Sequence, residues 1–317
     1  MRRILSCVLF AIVTSASLSS AQEQNSDLNY LGRLSRYNQL PQLIQTANAL
    51  LANQNLAPAV RAVTLTYLGH AYQKSGDTHE ATTCYENALA LLERDGSHPV
   101  EYATTLGALA TLYADTGQMD TARHVLLRSA DVLEKDGDHH EEIALIWSDL
   151  AVVAVDKHSS RDAHKFMARA LDESQRATDF SSDATSALLT AQGSIAGLDG
   201  DPRTAITDYQ RSLDLWKLNH ADQHPDTGWL YVLLGGAYLQ AHDTVSARQM
   251  TSHGLNLLEA SSGPQNPRFL AAELVYSKVL DASGSHNEAS KLRKEAQATL
   301  KADSKRSQGE ISIAALR

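Results

Sequence analysis

At 317 residues with 43% apolar side chains, the chain is long enough for two ordinary domains or one elongated array, and too apolar to be disordered. Its formal charge of −9 sits unevenly: residues 22–290 hold 19 basic and 34 acidic side chains, residues 291–317 seven basic and three acidic. An acidic body excludes the basic face that nucleic acid requires, and few aromatics (6%) beside abundant alanine and leucine favour helix over sheet.

Residues 1–21 stand apart. Arg2 and Arg3 precede an apolar run from Ile4 to Val13, broken only by Ser6, and small residues then lead to Ser19-Ser20-Ala21. This is the layout of a secretory signal peptide with cleavage after Ala21. An apolar run of about ten residues is too short to cross a bilayer, which needs about twenty. The expectation is an exported chain, periplasmic or secreted, with no membrane span in its mature part. Without the leader it keeps one cysteine, Cys84, so no internal disulfide forms and packing must hold the fold.

Residues 22–60 read as an atypical helical pair that caps the remainder of the chain: Leu40, Leu43, Ile44, Ala47, Leu50 and Leu51 recur at helical spacing. From residue 61 the chain repeats itself. Alanines stand at 81, 122, 163, 205, 247 and 289, a step of 41 or 42. Nine residues before each comes Tyr72, Tyr113, Ala154, Ala196, Tyr238 or Leu280, and four earlier Leu68, Leu109, Leu150, Gln192, Leu234 or Tyr276. Beside these last stand small residues, from Gly69 and Ala110 to Gly235 and Ser277, which let a neighbouring helix approach closely. Spacings of three, four and seven place the apolar members on one helical stripe. Breakers fall between the stripes: Gly76-Asp77, Thr116-Gly117, His158-Ser159-Ser160, Gly200-Asp201-Pro202, His242-Asp243 and Ser283-Gly284. Each unit is thus a helix, a tight turn and a second helix. Six of them fill residues 61–302, ahead of a polar tail, 303–317.

Leu65-x-x-Leu68-Gly69-x-x-Tyr72, followed by Ala81, Tyr85 and Ala88, resembles the tetratricopeptide motif. The step exceeds that motif's usual period of about 34 by seven or eight residues, as in the repeats of kinesin light chains and their bacterial relatives. Junctions such as Ser97-His98-Pro99 and Gln223-His224-Pro225-Asp226 are similar to theirs, whereas those around His139-His140 and Ser181-Ser182 lack the proline. The resemblance covers about residues 60–302. It implies an all-α solenoid of antiparallel helix pairs, coiled as a right-handed superhelix with the first helix of each pair facing inward. It also implies a concave groove that holds a protein or peptide segment, lined by Thr66, His70, Gln73, Gly107, Thr111, Ser148, Val152, Thr190, Ser194, Val232, Gly236 and Lys278. No Lys, Arg and Asn set stands where some members of the family clamp a carboxylate.

Other chemistry weighs less. The thirteen histidines invite a metal, at His139-His140-Glu141-Glu142 or at His220 and His224, but both groups fall at repeat junctions where polar residues are expected. No HExxH, GxSxG or phosphate-binding glycine loop occurs, and no cofactor is implied. The basic residues Lys291, Arg293, Lys294, Lys301, Lys305 and Arg306 complement a last helix's negative end, or meet the acidic body of a second copy. The expectation is a non-enzymatic interaction scaffold with a protein or peptide partner, self-association being open. The alternative is a module for a non-protein ligand, such as a cell-wall fragment or a metal at the histidine-rich junctions.

Overall fold

The structure, a computed structural model, describes residues 21–220 and 224–308, and side chains within 26–302. The expected signal segment, Ala21 apart, and the end of the tail lie outside the described residues. Among the described residues there are fourteen α-helices and no strand. They run α1 (Ala21–Arg36), α2 (Leu40–Leu51), α3 (Pro58–Ser75), α4 (Thr78–Asp95), α5 (Pro99–Asp115), α6 (Met119–Asp136) and α7 (His140–Asp156). There follow α8 (Ser160–Arg176), α9 (Ser182–Asp199), α10 (Pro202–Asn219), α11 (Pro225–Gln240), α12 (Thr244–Ser262), α13 (Pro267–Ala282) and α14 (His286–Gln308). Five of the seven prolines open a helix, where the missing N–H would have no partner anyway.

The turn inside every pair from α3 onward is the same device. One residue adopts a left-handed conformation, at Gly76, Gly117, His158, Gly200, His242 and Gly284. The next residue's N–H donates back to a carbonyl near the end of the preceding helix: Asp77 to Tyr72 O at 2.8 Å, Gln118 to Tyr113 O at 2.7 Å, Ser159 to Ala154 O at 2.9 Å. Asp201, Asp243 and Ser285 repeat it on Ala196, Tyr238 and Leu280. These acceptors are the periodic residues nine before each alanine, so the sequence repeat is partly a repeat of helix-terminating geometry. Asn38, also left-handed, places the same turn between α1 and α2, with Gln39 N–H donating to Leu34 O at 2.8 Å. The N-terminal pair is therefore a seventh unit of the stack in its turn geometry, though its spacing differs.

Odd-numbered helices from α3 form the inner layer and even-numbered ones the outer. α7 buries fourteen of its seventeen residues, against four for α8, so an inner helix is covered nearly all round and an outer one on a single stripe. The six periodic alanines are fully buried. The small residues of the inner helices face the position four after each alanine: a Cβ on Gly69 would lie 2.8 Å from the Tyr85 ring, and one on Gly193 2.8 Å from that of Tyr209. The tightest approach is between α11 and α12. A Cβ on Gly254 would meet Val232 Cγ2 at 2.7 Å and Val232 N at 3.0 Å, and backbone cannot yield as a side-chain tip does. Gly254→Ala is expected to destabilise the chain by about 1–3 kcal/mol, the range for overpacking a filled interior. The midpoint of urea unfolding checks this.

Candidate functional site

The predicted lining divides into two parts. Thr66, His70, Gln73, Gly107, Thr111, Ser148, Val152, Thr190, Ser194 and Val232 are buried, while Gly236 and Lys278 are partly exposed. The hydroxyls of the first part bond within the protein. Thr111 donates to Gly107 O at 3.0 Å, Ser148 to Leu145 O at 2.8 Å and Thr190 to Ser186 O at 2.8 Å. Thr66 shares a 2.9 Å bond with Thr105, and Ser194 a 3.0 Å bond with Tyr209. From α3 to α9 this surface is interior.

It is interior because the superhelix closes on itself. The C-terminal end of α3 meets the N-terminal ends of α11 and α13, some 150 to 190 residues later in sequence. Asn266 joins the two ends: its side-chain oxygen accepts from Arg268 N–H at 2.8 Å, and its amide donates to Gln73 O at 3.2 Å and Lys74 O at 3.0 Å. One residue thus caps the start of α13 and the end of α3. Asn38 Nδ2 donates to Ser261 O at 3.5 Å beside it.

Beneath this seam lies a buried ionic cluster. Lys74 Nζ stands 3.1 Å from Asp226 Oδ2, and Arg268 Nη1 donates to Asp226 Oδ1. Arg268 Nε lies 3.5 Å from Asp115 Oδ1, and Asp115 Oδ2 accepts from Gln73 Nε2 at 2.8 Å, whose own Oε1 accepts from Tyr85 at 2.9 Å. Burial pushes the Asp226 carboxyl up, but Lys74 and Arg268 outweigh it and hold it well below the usual carboxylate range. Burial holds Asp115 above that range against Arg268 and Gln73, and Asp149 well above it against Arg268 alone. His224 and His70 are buried against the same charges. Burial first and Lys74 second push both well below the usual histidine value, against the pull of Asp226. The cluster matches two fixed cations with one ionised carboxylate and a second shared with Gln73, and it keeps its imidazoles neutral.

The histidines once open to a metal reading have other partners. His139 lies 2.6 Å from Asp136, His140 2.7 Å from Glu173, and Glu141 accepts from Ser181 N–H and Oγ at 2.9 and 2.8 Å. His220 lies 3.1 Å from Asp183 and stacks on Trp216 with ring centroids 3.6 Å apart. Among the described residues, no three His, Cys, Asp or Glu side chains are grouped to hold a metal ion. Cys84 is buried, with its thiol pushed up to about 11 by burial and by Glu80, which makes it a poor nucleophile.

The second part of the predicted lining borders open space. Between α9, α10, α11 and α13 lies a cavity of about 110 Å³ that brings together Val232, Gly236 and Lys278 with Gly197, Trp229, Leu233, Leu239, Gln240 and Val275. Gln240 Nε2 donates to Gly197 O at 3.3 Å, linking α11 to α9. Two neighbouring glycines of α11 differ here. A Cβ on Gly235 would run into Thr251, whose backbone nitrogen lies 2.9 Å away; one on Gly236 would meet only Val275 Cγ1, at 3.9 Å. Packing therefore demands glycine at 235 but not at 236. A helix-interior glycine costs about 0.5–1 kcal/mol relative to alanine, so Gly236→Ala is expected to raise stability by that amount. Chemical denaturation measures it, and a loss of stability would mean the space beside Gly236 is smaller than described.

Known proteins share this repeat geometry. A family model described as tetratricopeptide repeat matches residues 60–135 and 184–260. The chain is a tetratricopeptide repeat protein. Among solved structures, this tetratricopeptide array is similar to NprR in complex with its cognate peptide NprX (TM-score 0.62, 16% identity, covering 90% of this chain and 81% of that one). It is also similar to a Rap protein complexed with competence and sporulation factor (0.61, 14%, 90% and 89%) and to the apo form of RapI (0.57, 12%, 88% and 99%). At these identities the likeness concerns the fold. A search of curated proteins finds no match.

Sequence reasoning missed the seam. Asp226 and Arg268 occupy one register of the repeat, 42 residues apart, in which the fourth unit carries buried Ala184. Opposite charges at a core register in consecutive units were the available signal.

Proposed function

We propose that this tetratricopeptide protein is an interaction scaffold that holds a protein or peptide segment against the inner face of its C-terminal half. The observation that carries the reading is the division of the inner surface. It is packed shut from α3 to α9, and between α9, α11 and α13 it keeps a cavity bordered by an exposed amide and a lysine. A partner segment laid along inner helices would meet apolar wall and a few polar groups, the usual composition of a recognition site. The similar fold of NprR, solved with its cognate peptide, supports the capacity of the architecture for such a ligand. The leader-like residues 1–21 support action outside the cytoplasm, which N-terminal sequencing of the exported chain tests by showing or not showing a start at Gln22.

Site-specific photocrosslinking tests the recognition surface. A crosslinker at Gln240 or Lys278 is expected to trap one protein or peptide reproducibly. The same group at exposed outer-helix positions, Thr83 of α4 or Lys165 of α8, is expected not to. Equal yields from both faces would overturn the concave reading.

A further inference from the structure

The seam that closes the superhelix is built differently from the stack it closes. Along the stack the helices are joined by apolar side chains. One buried apolar cluster runs from Leu28 to Cys84, a second from Ala81 to Leu230 and a third from Trp229 to Ala296. Neither the first nor the third holds a residue from across the seam. The seam is crossed instead by hydrogen bonds and ion pairs: Lys74 with Asp226 and His224, Arg268 with Asp115, Asn266 with the carbonyls of Gln73 and Lys74, and Asn38 with Ser261. A Cβ on Gly76 would come within 3.3 Å of Asn266 Cα, so the two backbones meet there directly. Such a contact can part without taking either apolar cluster into water, and hydrophobic burial resists its opening little.

Two imidazoles sit among these polar contacts. His224 Nε2 lies 3.4 Å from Lys74 Nζ, and its Nδ1 lies 3.4 Å from Asp226 Oδ2. An ammonium only donates, so Nε2 meets it with a lone pair and the ring is neutral. A proton on Nε2 would set two donors against each other in a buried site. His70 lies with Nδ1 3.3 Å from the Ser35 hydroxyl of α1. The charged and titratable groups acting on the two rings are Lys74 on α3, Asp226 on α11, Arg268 on α13 and His220 after α10, itself paired with Asp183 of α9. Asp115 on α5 and Asp149 on α7 reach them through Arg268. We infer that the seam is a proton-operated latch: protonating His70 and His224 opens the ring while the helix pairs stay folded. Protonation would set four cations against Asp226 and Asp115 in a site closed to water, whereas the open ring hydrates them all. Burial and Lys74 hold both histidines low in the closed ring, and water restores a value of about 6.5 in the open one. The open ring then binds more protons, so opening is favoured as pH falls below about 6.5. Asp115 and Asp149, held above the carboxylate range, oppose opening in so far as it wets them. Buried histidines at an interface between two arrangements are a general means of reading mild acid.

Single-molecule energy transfer reads the ring directly, at dilutions where chains do not meet. The dyes go on Asp77→Cys and Gln265→Cys, two exposed neighbours of the Gly76–Asn266 contact on opposite sides of the seam, with Cys84→Ala removing the buried thiol. Transfer is expected to be nearly complete at neutral pH and to fall reversibly as the pH drops from about 6.5 to about 5. Far-UV circular dichroism is expected to keep its helical signal over the same range. The transition should take up two protons, His70→Gln or His224→Gln alone should reduce the uptake to one, and the two together should hold the ring closed. Asn266→Ser keeps a cap for α13 but falls short of the Gln73 and Lys74 carbonyls. It should move the midpoint to higher pH, and it tests the seam independently of how the histidine variants fold. Transfer unchanged by acid, transfer lost together with helicity, an equal fall in the double glutamine variant, or an unmoved midpoint in Asn266→Ser would overturn the latch.

Discussion

Arg268→Ala is expected to be among the most damaging single changes in this chain, lowering stability by about 3–5 kcal/mol. The reason is what it leaves behind. Asp226 keeps Lys74, but Asp115 loses its only cation and keeps Gln73 alone, and Asp149 loses the one positive charge acting on it. All these groups are buried, so water cannot take over from the guanidinium. The damage should begin at the seam, because Arg268 sits in the first turn of α13 while its partners stand on α5 and α11. Hydrogen exchange is expected to show faster opening at the ends of α3 and α13, with α6 to α8 least affected. A second variant tests the electrostatic account. Replacing Lys74, Asp226 and Arg268 together by Met, Leu and Met leaves Asp115 and Asp149 as Arg268→Ala does, but fills the space and removes the Lys74–Asp226 pair as well, and should cost less than Arg268→Ala. If the triple variant were the less stable of the two, the cluster would be a net source of stability rather than a balanced set of buried charges.

The legibility of this molecule depends on which features repeat. The helix pairs could be read because their determinants are local and recur. Ala81 through Ala289 mark a fully buried position of each second helix, and Gly76 through Gly284 mark the reversal, both within a step of 41 or 42 residues. Even the substitutions of His158 and His242 for glycine left the spacing intact. Closure of the superhelix does not repeat. It depends on Asn266 reaching carbonyls 192 and 193 residues earlier, and no periodic pattern encodes a contact made once. The lining positions show the same limit. Gly107, Thr111 and Ser148 stand at the inward register, as the resemblance implies, but whether an inward position faces a groove or another wall is decided by the path of the whole array. Gly236 illustrates it from the other side: the repeat register separates it from the packing Gly235, but only the distance to α13 shows that it borders a cavity.

Acidification should loosen the same seam. His70 and His224 are buried and held well below the ordinary histidine value, so the folded chain keeps them neutral while the unfolded chain protonates them below about pH 6.5. The unfolded state then binds more protons, and stability falls as pH drops through that point. Asp149 and Asp115 act in the opposite direction. Their folded values are raised, so they favour the folded chain as pH falls toward the unfolded carboxylate range, and they return part of the loss. Asp226, held low, contributes only below about pH 4, where its protonation in the unfolded state removes the stability that Lys74 and Arg268 supply. The groups facing the two imidazoles are Lys74 on α3, Asp226 on α11, Arg268 on α13, His220 near the end of α10 and Ser35 on α1, whose hydroxyl lies 3.3 Å from His70 Nδ1. The expected result is a urea midpoint that falls between pH 7 and pH 5. His70→Gln with His224→Gln should flatten that dependence even if it lowers stability at neutral pH, because glutamine takes up no proton. A profile as steep in the double variant as in the parent would assign the acid sensitivity to other groups and leave the seam indifferent to protons.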